Sequence, residues 1–278
     1  MIFNELKIIF SFIFFNLYFV FFGLIFGNEN GAIIGLIVSI ILTLIIIFFS
    51  DKIILKLHKG KLIKNTQINL ILKKCSKESK IKTPKLYLIK SKSPTILTTG
   101  RNIKKSSIGI SKELLLVLTE KELKSLFFHE IYHIKKKESF LQTINIFIIT
   151  LIFFFSGLFV ISSILNFSNN FGKNSKIYFL SLFILFFIPI LLFIKITTSK
   201  KREYNADKYS IIKSNSSKYL ISSLKKLEFY SNNSKARIQD NFFTSIYILN
   251  PFRNNFFDLI FSTHPKTNQR INKLKYYL

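Results

Sequence analysis

A single cysteine, Cys75, stands in 278 residues. No disulfide can close within such a chain, and no cysteine cluster can hold a metal. A zinc site here would have to be built from histidine and carboxylate. Arginine is also scarce: of 41 basic residues only Arg101, Arg202, Arg237, Arg253 and Arg270 are arginine, leaving 36 lysines. That scarcity argues against the nucleic-acid reading that a formal charge of +27 invites, because nucleic-acid readers favour bidentate arginine. No nucleic-acid-binding motif is present, and no internal repeat. The joint excess of Lys, Ile, Asn and Phe fits a mutational bias toward A+T-rich codons, a hypothesis that the gene's third-position base composition would test. Lysines beside membrane spans would still be drawn to anionic lipid, at about 1 kcal/mol each.

What the chain has in quantity is apolar residues, 49% of the total with 33 Phe, and they are gathered into blocks. Residues 8–27 and 32–49 form two apolar runs around the polar turn Gly27-Asn28-Glu29-Asn30-Gly31. Residues 140–167 and 177–194 form two more around a polar linker. Each approaches or exceeds the roughly 20 residues that cross a hydrocarbon layer as a helix. A cleaved signal peptide is the rival reading of the first run, but no A-x-A-like site follows and a second run begins at once. The expected organisation is therefore a membrane hairpin over residues 1–50, a first polar part over 51–139, a second membrane hairpin over 140–196, and a second polar part over 197–278. Pro189 is expected to kink the fourth span. Lys52, Lys56, Lys59 and Lys61 follow the second run, Lys135–Lys137 precede the third, and Lys195, Lys200, Lys201 and Arg202 follow the fourth. The short turns carry zero and two lysines, so both ends and both polar parts are expected on the cytoplasmic side.

Between the hairpins, Lys85–Ile89, residues 96–99 and residues 107–110 read as strands, the last two separated by Gly100-Arg101-Asn102. Ser111 is placed to cap a short helix over residues 112–118. Thr119-Glu120-Lys121-Glu122 reads as a capping box that starts a helix over about 120–138, with Leu123, Leu126, Phe127, Ile131 and Ile134 at helical spacing. Further helices are expected over 200–212 and 219–229, and a last amphipathic one after Pro265, taken as its first helical residue.

The 120–138 helix carries His129-Glu130-Ile131-Tyr132-His133. Positions i and i+4 share a helix face, so both imidazoles can bind one Zn²⁺ at roughly 2.0–2.1 Å. Glu130 beside them can take the proton of a water on that ion. With four His and ten Glu in the chain, chance alone produces the pattern in roughly one such sequence in 500. Tyr132, between the ligands, is expected to pack; His58 is expected at the membrane interface without a catalytic role, and Cys75 to be inert. A second acidic stretch, Arg202-Glu203-Tyr204-Asn205-Ala206-Asp207, puts Glu203 and Asp207 on one helix face. One could bind zinc while the other accepts from a ligating His, or the two could be an ordinary exposed acidic pair.

At this point the chain resembles the HtpX-type membrane zinc metalloproteases, relatives of the CAAX prenyl endopeptidases. The match runs in the family's order: the N-terminal hairpin, Thr98-Thr99-Gly100-Arg101-Asn102 before a strand, H-E-x-x-H, a second hairpin, R-E-x-x-A-D at residues 202–207, and Ser262-Thr263-His264-Pro265 with Arg270 five residues after the proline. The resemblance implies a mostly α integral membrane protein of four transmembrane helices plus a cytoplasmic α+β, gluzincin-like catalytic domain with a small sheet. It implies one Zn²⁺ per chain held by His129, His133 and Glu203, with Asp207 supporting a ligand and Glu138 in the place of a supporting carboxylate. It implies substrate held at an edge strand around Thr98, Thr99 and Gly100, Arg270 holding substrate or local structure, and Glu130 as general base. His264 is a candidate donor to the oxyanion or a cap for the final helix. Unfolded or damaged membrane proteins would be the substrates, in a bacterial inner membrane. The family's usual Asn-Ala-Phe before the Thr-Thr-Gly is replaced by Thr95-Ile96-Leu97. Two alternatives are an intramembrane zinc protease, whose L-D-G-type motif is missing, and an inactive membrane scaffold of the same fold.

Overall fold

The computed structural model describes residues 2–64, 67–91, 93–167, 193, 199–233 and 265–276. Helix α1 (Ile2–Leu57) is a hairpin of two apolar arms, reversed at Gly27 and Asn28, the latter with φ 52°. The reversal needs only these two residues, because Asn enters positive φ more readily than most side chains. Glu29, Asn30 and Gly31, expected in the turn, are therefore already helical, and the second arm runs to Leu57 instead of 49. A Cβ at Gly23 or at Gly31 would sit 2.1 Å from the other residue's carbonyl oxygen. Only glycine lets the arms meet backbone to backbone there.

Apolar side chains such as Leu17, Ile37, Ile41, Leu44 and Phe48 stay exposed along the arms, an arrangement that water penalises and lipid does not. Phe3–Ile25, Gly27–Leu57 and, in helix α5 (Glu138–Phe167), Glu138–Leu158 are long and apolar enough to span a membrane. Phe15, Phe19 and Ile46 of α1 pack with Ile144, Ile148 and Ile152 of α5. Inside that contact Ser11 Oγ donates to Asn145 Oδ1 at 3.0 Å, and the Tyr18 and Ser156 hydroxyls meet at 2.6 Å. The fourth run, 177–194, lies outside the described residues except for Phe193, whose ring stacks on Phe14.

The sheet has four strands, β1 (Lys61–Leu62), β2 (Lys85–Ile89), β3 (Ile96–Asn102) and β4 (Lys105–Ser111), in the order β1-β2-β4-β3. β1 is too short to show a pattern in sequence. Gly100-Arg101-Asn102 does not separate two strands: β3 runs through it, and Asn102 pairs with Lys105 across the tight turn. Gly100 makes this possible at φ +152°, where a Cβ would lie 2.6 Å from the Lys105 carbonyl oxygen. β3 is an edge of the sheet and packs against α5.

Helix α2 (Gln67–Glu78) buries Leu72 and Cys75 in the core under the sheet. Ile68, Ile71, Leu72 and Cys75 do recur at helical spacing, a signal the surrounding lysines obscure. Burial pushes the Cys75 thiol up to about 12, so it stays protonated and shielded. Ser111 caps helix α3 (Lys112–Val117) by accepting from Leu114 N. Helix α4 (Glu120–Lys135) starts at a complete capping box between Thr119 and Glu122. It stops at Lys135, short of the expected 138, because Lys137 turns to φ 59° and sends the chain into α5. Helices α6 (Lys200–Ser214), α7 (Ser217–Asn233) and α8 (Thr267–Lys275) complete the described fold. Lys266 is the N-cap of α8, so Pro265 precedes the helix and is not its first residue.

Candidate metal centre

α4 is buried along the side that carries His129, Glu130 and His133, none of them more than 4% exposed. One turn before His129, Ser125 faces Ser210 of α6. The two hydroxyls lie 2.9 Å apart, and Ser210 Oγ donates to the Ser125 carbonyl at 2.6 Å. These small residues, with the fully buried Ala206, let α6 lie close on α4. Glu203 and Asp207 arrive beside the histidines for that reason, and neither is the exposed acid that one reading of the pair allowed.

His129 Nε2 and His133 Nε2 are 3.1 Å apart. Glu203 reaches both, with Oε2 at 3.5 Å from His129 Nε2 and Oε1 at 3.6 Å from His133 Nε2. Three donors bound tetrahedrally to one zinc lie about 3.3–3.4 Å from one another, so the spacing fits an ion at their centre. Each outer ring nitrogen lies against a carboxylate. His133 Nδ1 donates to Glu138 Oε2 at 2.7 Å, and His129 Nδ1 meets Asp207 Oδ1 at 2.9 Å. With both rings neutral and protonated at Nδ1, the Nε2 lone pairs would face the same point, the arrangement that a bound cation requires.

The surrounding carboxylates favour positive charge at this point. Burial alone pushes the His129 imidazole down, but the Asp207 and Glu203 carboxylates outweigh it and hold it at about 9. Burial also pushes the Asp207 carboxyl up, and the Arg270 guanidinium overcomes this and keeps it below the ordinary range. Arg270 itself is fully buried on α8. It donates to Asp207 through Nε at 2.9 Å and Nη2 at 2.6 Å, and its Nη1 lies 3.7 Å from Glu203 Oε2. It was expected to hold substrate or local structure; it stands behind Glu203 and Asp207, where it balances their charge.

Glu138 is the first residue of α5, so the membrane helix begins on a hydrogen bond to His133. The elbow that delivers it is fastened to α1: Asn4 Nδ2 donates to the Lys136 carbonyl at 2.9 Å, and Lys137 Nζ pairs with Glu5 Oε1 at 2.6 Å. Thr98, Thr99 and Gly100 lie in the edge strand β3, and the Thr98 and Thr99 side chains are buried against α5. Ser139 Oγ donates to Thr98 Oγ1 at 2.9 Å, and Thr99 and Thr143 hydroxyls meet at 3.2 Å. Their direct link is to the membrane helix. Tyr132 packs against Tyr209 with ring centres 5.5 Å apart. His58 is buried, with Nδ1 2.8 Å from the Ile54 carbonyl oxygen. His264 lies outside the described residues.

Sequence reasoning missed Ser125 and Ser210, which set the α4–α6 approach, and Ser139 and Thr143, which hold β3. Ser125 sits four residues before His129, on the ligand face, and that spacing was its available signal.

Comparison with known proteins bears on the same features. A family model described as Peptidase family M48 matches residues 62–278. The protease HtpX homolog of Campylobacter curvus is 28% identical over 234 residues, covering 82% of this chain and 81% of that one. Those of Syntrophotalea carbinolica and of a Sulfurovum species are 24% identical over 229 residues and 29% over 211, covering 82% and 74% of this chain and 82% and 73% of theirs. The crystal structure of S. mikatae Ste24p shares the fold, with a TM-score of 0.53 at 17% identity, over 94% of this chain and 62% of that longer one. An H-E-x-x-H helix with a buried His/His/Glu cluster, carried on apolar spans and matched by the family model over most of its length, places this chain in peptidase family M48 as a membrane metalloprotease.

Proposed function

We propose that the chain is a zinc-dependent endopeptidase that cleaves unfolded or damaged membrane proteins on the cytoplasmic side of a bacterial inner membrane. The observation that carries the reading is the convergence of His129, His133 and Glu203 on one point, with Glu130 next to the first ligand. A zinc ion bound there would polarise the scissile carbonyl and acidify the attacking water. Glu130 takes that water's proton as its oxygen adds to the carbonyl carbon, and passes it to the amine nitrogen as the C–N bond breaks. Asp207 and Glu138 orient the two imidazoles, and Arg270 holds Asp207 in place. His264 is our candidate donor to the oxyanion.

Topology supports the reading. α4 and α6 close one site, so the chain between them must cross the membrane an even number of times. α5 supplies one crossing, and the apolar run 177–194 is the sequence's candidate for the return, making four spans. The lysines near the span ends favour the cytoplasm for both polar parts, 51–139 and 197–278. Membrane proteins suit the site as substrates because it begins where α5 leaves the apolar layer.

The test is cleavage of an unfolded membrane protein by the detergent-purified full chain, with metal content measured alongside. Cleavage that a chelator abolishes and added zinc restores is the expected result. Cleavage indifferent to chelator would remove the metal from the mechanism, and a zinc-loaded protein that cuts nothing would favour the scaffold alternative.

A further inference from the structure

Away from the metal centre, a cavity of about 410 Å³ opens between the β3–β4 hairpin and all three described spans. Its floor is apolar: Phe12 from the first arm of α1, Ile47 and Phe48 from the second, and Phe140 from the start of α5. Its roof is polar and basic, made of Arg101, Asn102 and Lys105. Such a volume lies within the roughly 300–1,000 Å³ of ordinary ligand pockets.

The roof is set up for an anion. Arg101 Nε is buried and makes no hydrogen bond, its ion pair with Asp51 Oδ2 being a loose one at 3.6 Å. Asn102 Oδ1 already accepts from Lys105 N at 2.8 Å, which leaves the amide NH₂ as the group to donate. Two cations therefore stand against the one carboxylate of Asp51, and the balance is positive.

The floor is set up for a chain of carbons. Phe48 is 51% exposed, and Leu44 and Ile45 beside it continue the same open apolar surface. A turn further on, Lys52 Nζ lies 5.6 Å from the Phe49 ring centre. A lysine drawn along an aromatic face marks the level where a helix leaves the hydrocarbon. Charge above and lipid-facing phenylalanine below meet at that level. We propose that this cavity binds the phosphate-bearing headgroup of an anionic phospholipid, with Arg101, Lys105 and Asn102 on the phosphate and the upper acyl region on Phe48 and Phe140. A headgroup held there ties the β3–β4 hairpin to the three spans and so fixes the depth of the edge strand against the bilayer.

The experiment is native mass spectrometry of the detergent-solubilised full chain, titrated with phosphatidylglycerol or with phosphatidylcholine of the same acyl chains. Wild type should retain phosphatidylglycerol in preference. R101Q/K105Q should weaken that retention roughly 20–30-fold, about fivefold per cation, with zinc content unchanged. I47W fills the cavity while keeping both charges, and should lose the preference as well; it carries the test alone if the double variant does not fold. Equal retention of the two lipids by wild type, or a preference that survives in the variants, overturns the proposal. Inorganic phosphate is titrated as a third ligand, and binding of phosphate without preference between the lipids would assign a soluble anion and overturn the lipid reading.

Discussion

At the scale of single residues, the site divides into groups that touch a metal, a group that moves a proton, and groups that hold these in place. Glu130 is not among the converging donors, so Glu130→Gln should keep bound zinc while proteolysis falls about 10²–10⁴-fold; near-normal turnover would remove it as the base. Glu203→Ala should lose metal as His133→Ala does, whereas Asp207→Ala should weaken affinity about 10–100-fold. Zinc retained by the first and lost steeply by the second would exchange their roles. Arg270 offers a sharper separation, because its partner is a fully buried carboxylate. Arg270→Leu leaves Asp207 uncompensated and should cost about 3–5 kcal/mol of stability. Adding Asp207→Ala to it should recover much of that stability without recovering zinc affinity. If the double variant is no more stable than Arg270→Leu, the pair is not what Arg270 serves.

At the scale of elements, the start of α4 decides where the ligands point. Thr119 and Glu122 cap the helix, and Glu122 also joins α4 to α7, accepting from Ser222 Oγ at 2.6 Å and Lys226 Nζ at 2.8 Å. Burial pushes the Glu122 carboxyl up, but the bonds from Lys226, Ser222 and Thr119 outweigh it and leave it below its ordinary value. A lowered carboxylate stabilises the fold above the unfolded Glu range, and that stabilisation is lost as pH falls through the native value. Glu122→Gln should therefore be less stable than wild type near neutrality, with the gap closing as the medium is acidified below the ordinary Glu range. Thermal midpoints taken across that range check it, and a gap that stays constant with pH would show that the charge is irrelevant. Thr119→Ala should cost about 1 kcal/mol near neutrality, with a smaller pH dependence than Glu122→Gln, since Thr119 is the least of the groups that lower the Glu122 carboxyl.

At the scale of the whole molecule, the proposed cytoplasmic placement of the site is tested by thiol accessibility. Cys75 is not a usable probe, being fully buried with its thiol held protonated. Lys82 is exposed on the same polar part, so Lys82→Cys in a Cys75→Ser background supplies an accessible thiol. A membrane-impermeant reagent should leave it unlabelled in intact cells and label it after lysis. Labelling in intact cells would turn the protein over and put the site outside.

Local chemistry was legible in the sequence because its rules act over one or two helical turns. The capping box, the i, i+4 histidines and the apolar runs each declare themselves within a short window, and the structure describes helices there except over the run 177–194, which lies outside the described residues but for Phe193. Boundaries were less legible. The stop of α4 at Lys135 depends on Lys137 in a positive-φ turn that Asn4 and Glu5, 132 positions earlier in each case, hold from α1. The same limit applies to the rest of the centre. Glu203 lies beyond an apolar block from His133, and resemblance alone singled it out. The close α4–α6 contact at Ser125 and Ser210 is what brings it near. Arg270 was expected to hold substrate or local structure, and its burial against Asp207 is a placement that no spacing encodes. Windows of sequence carry the forces of neighbouring residues; which distant side chains share a low-dielectric interior is decided only when the chain has closed on itself.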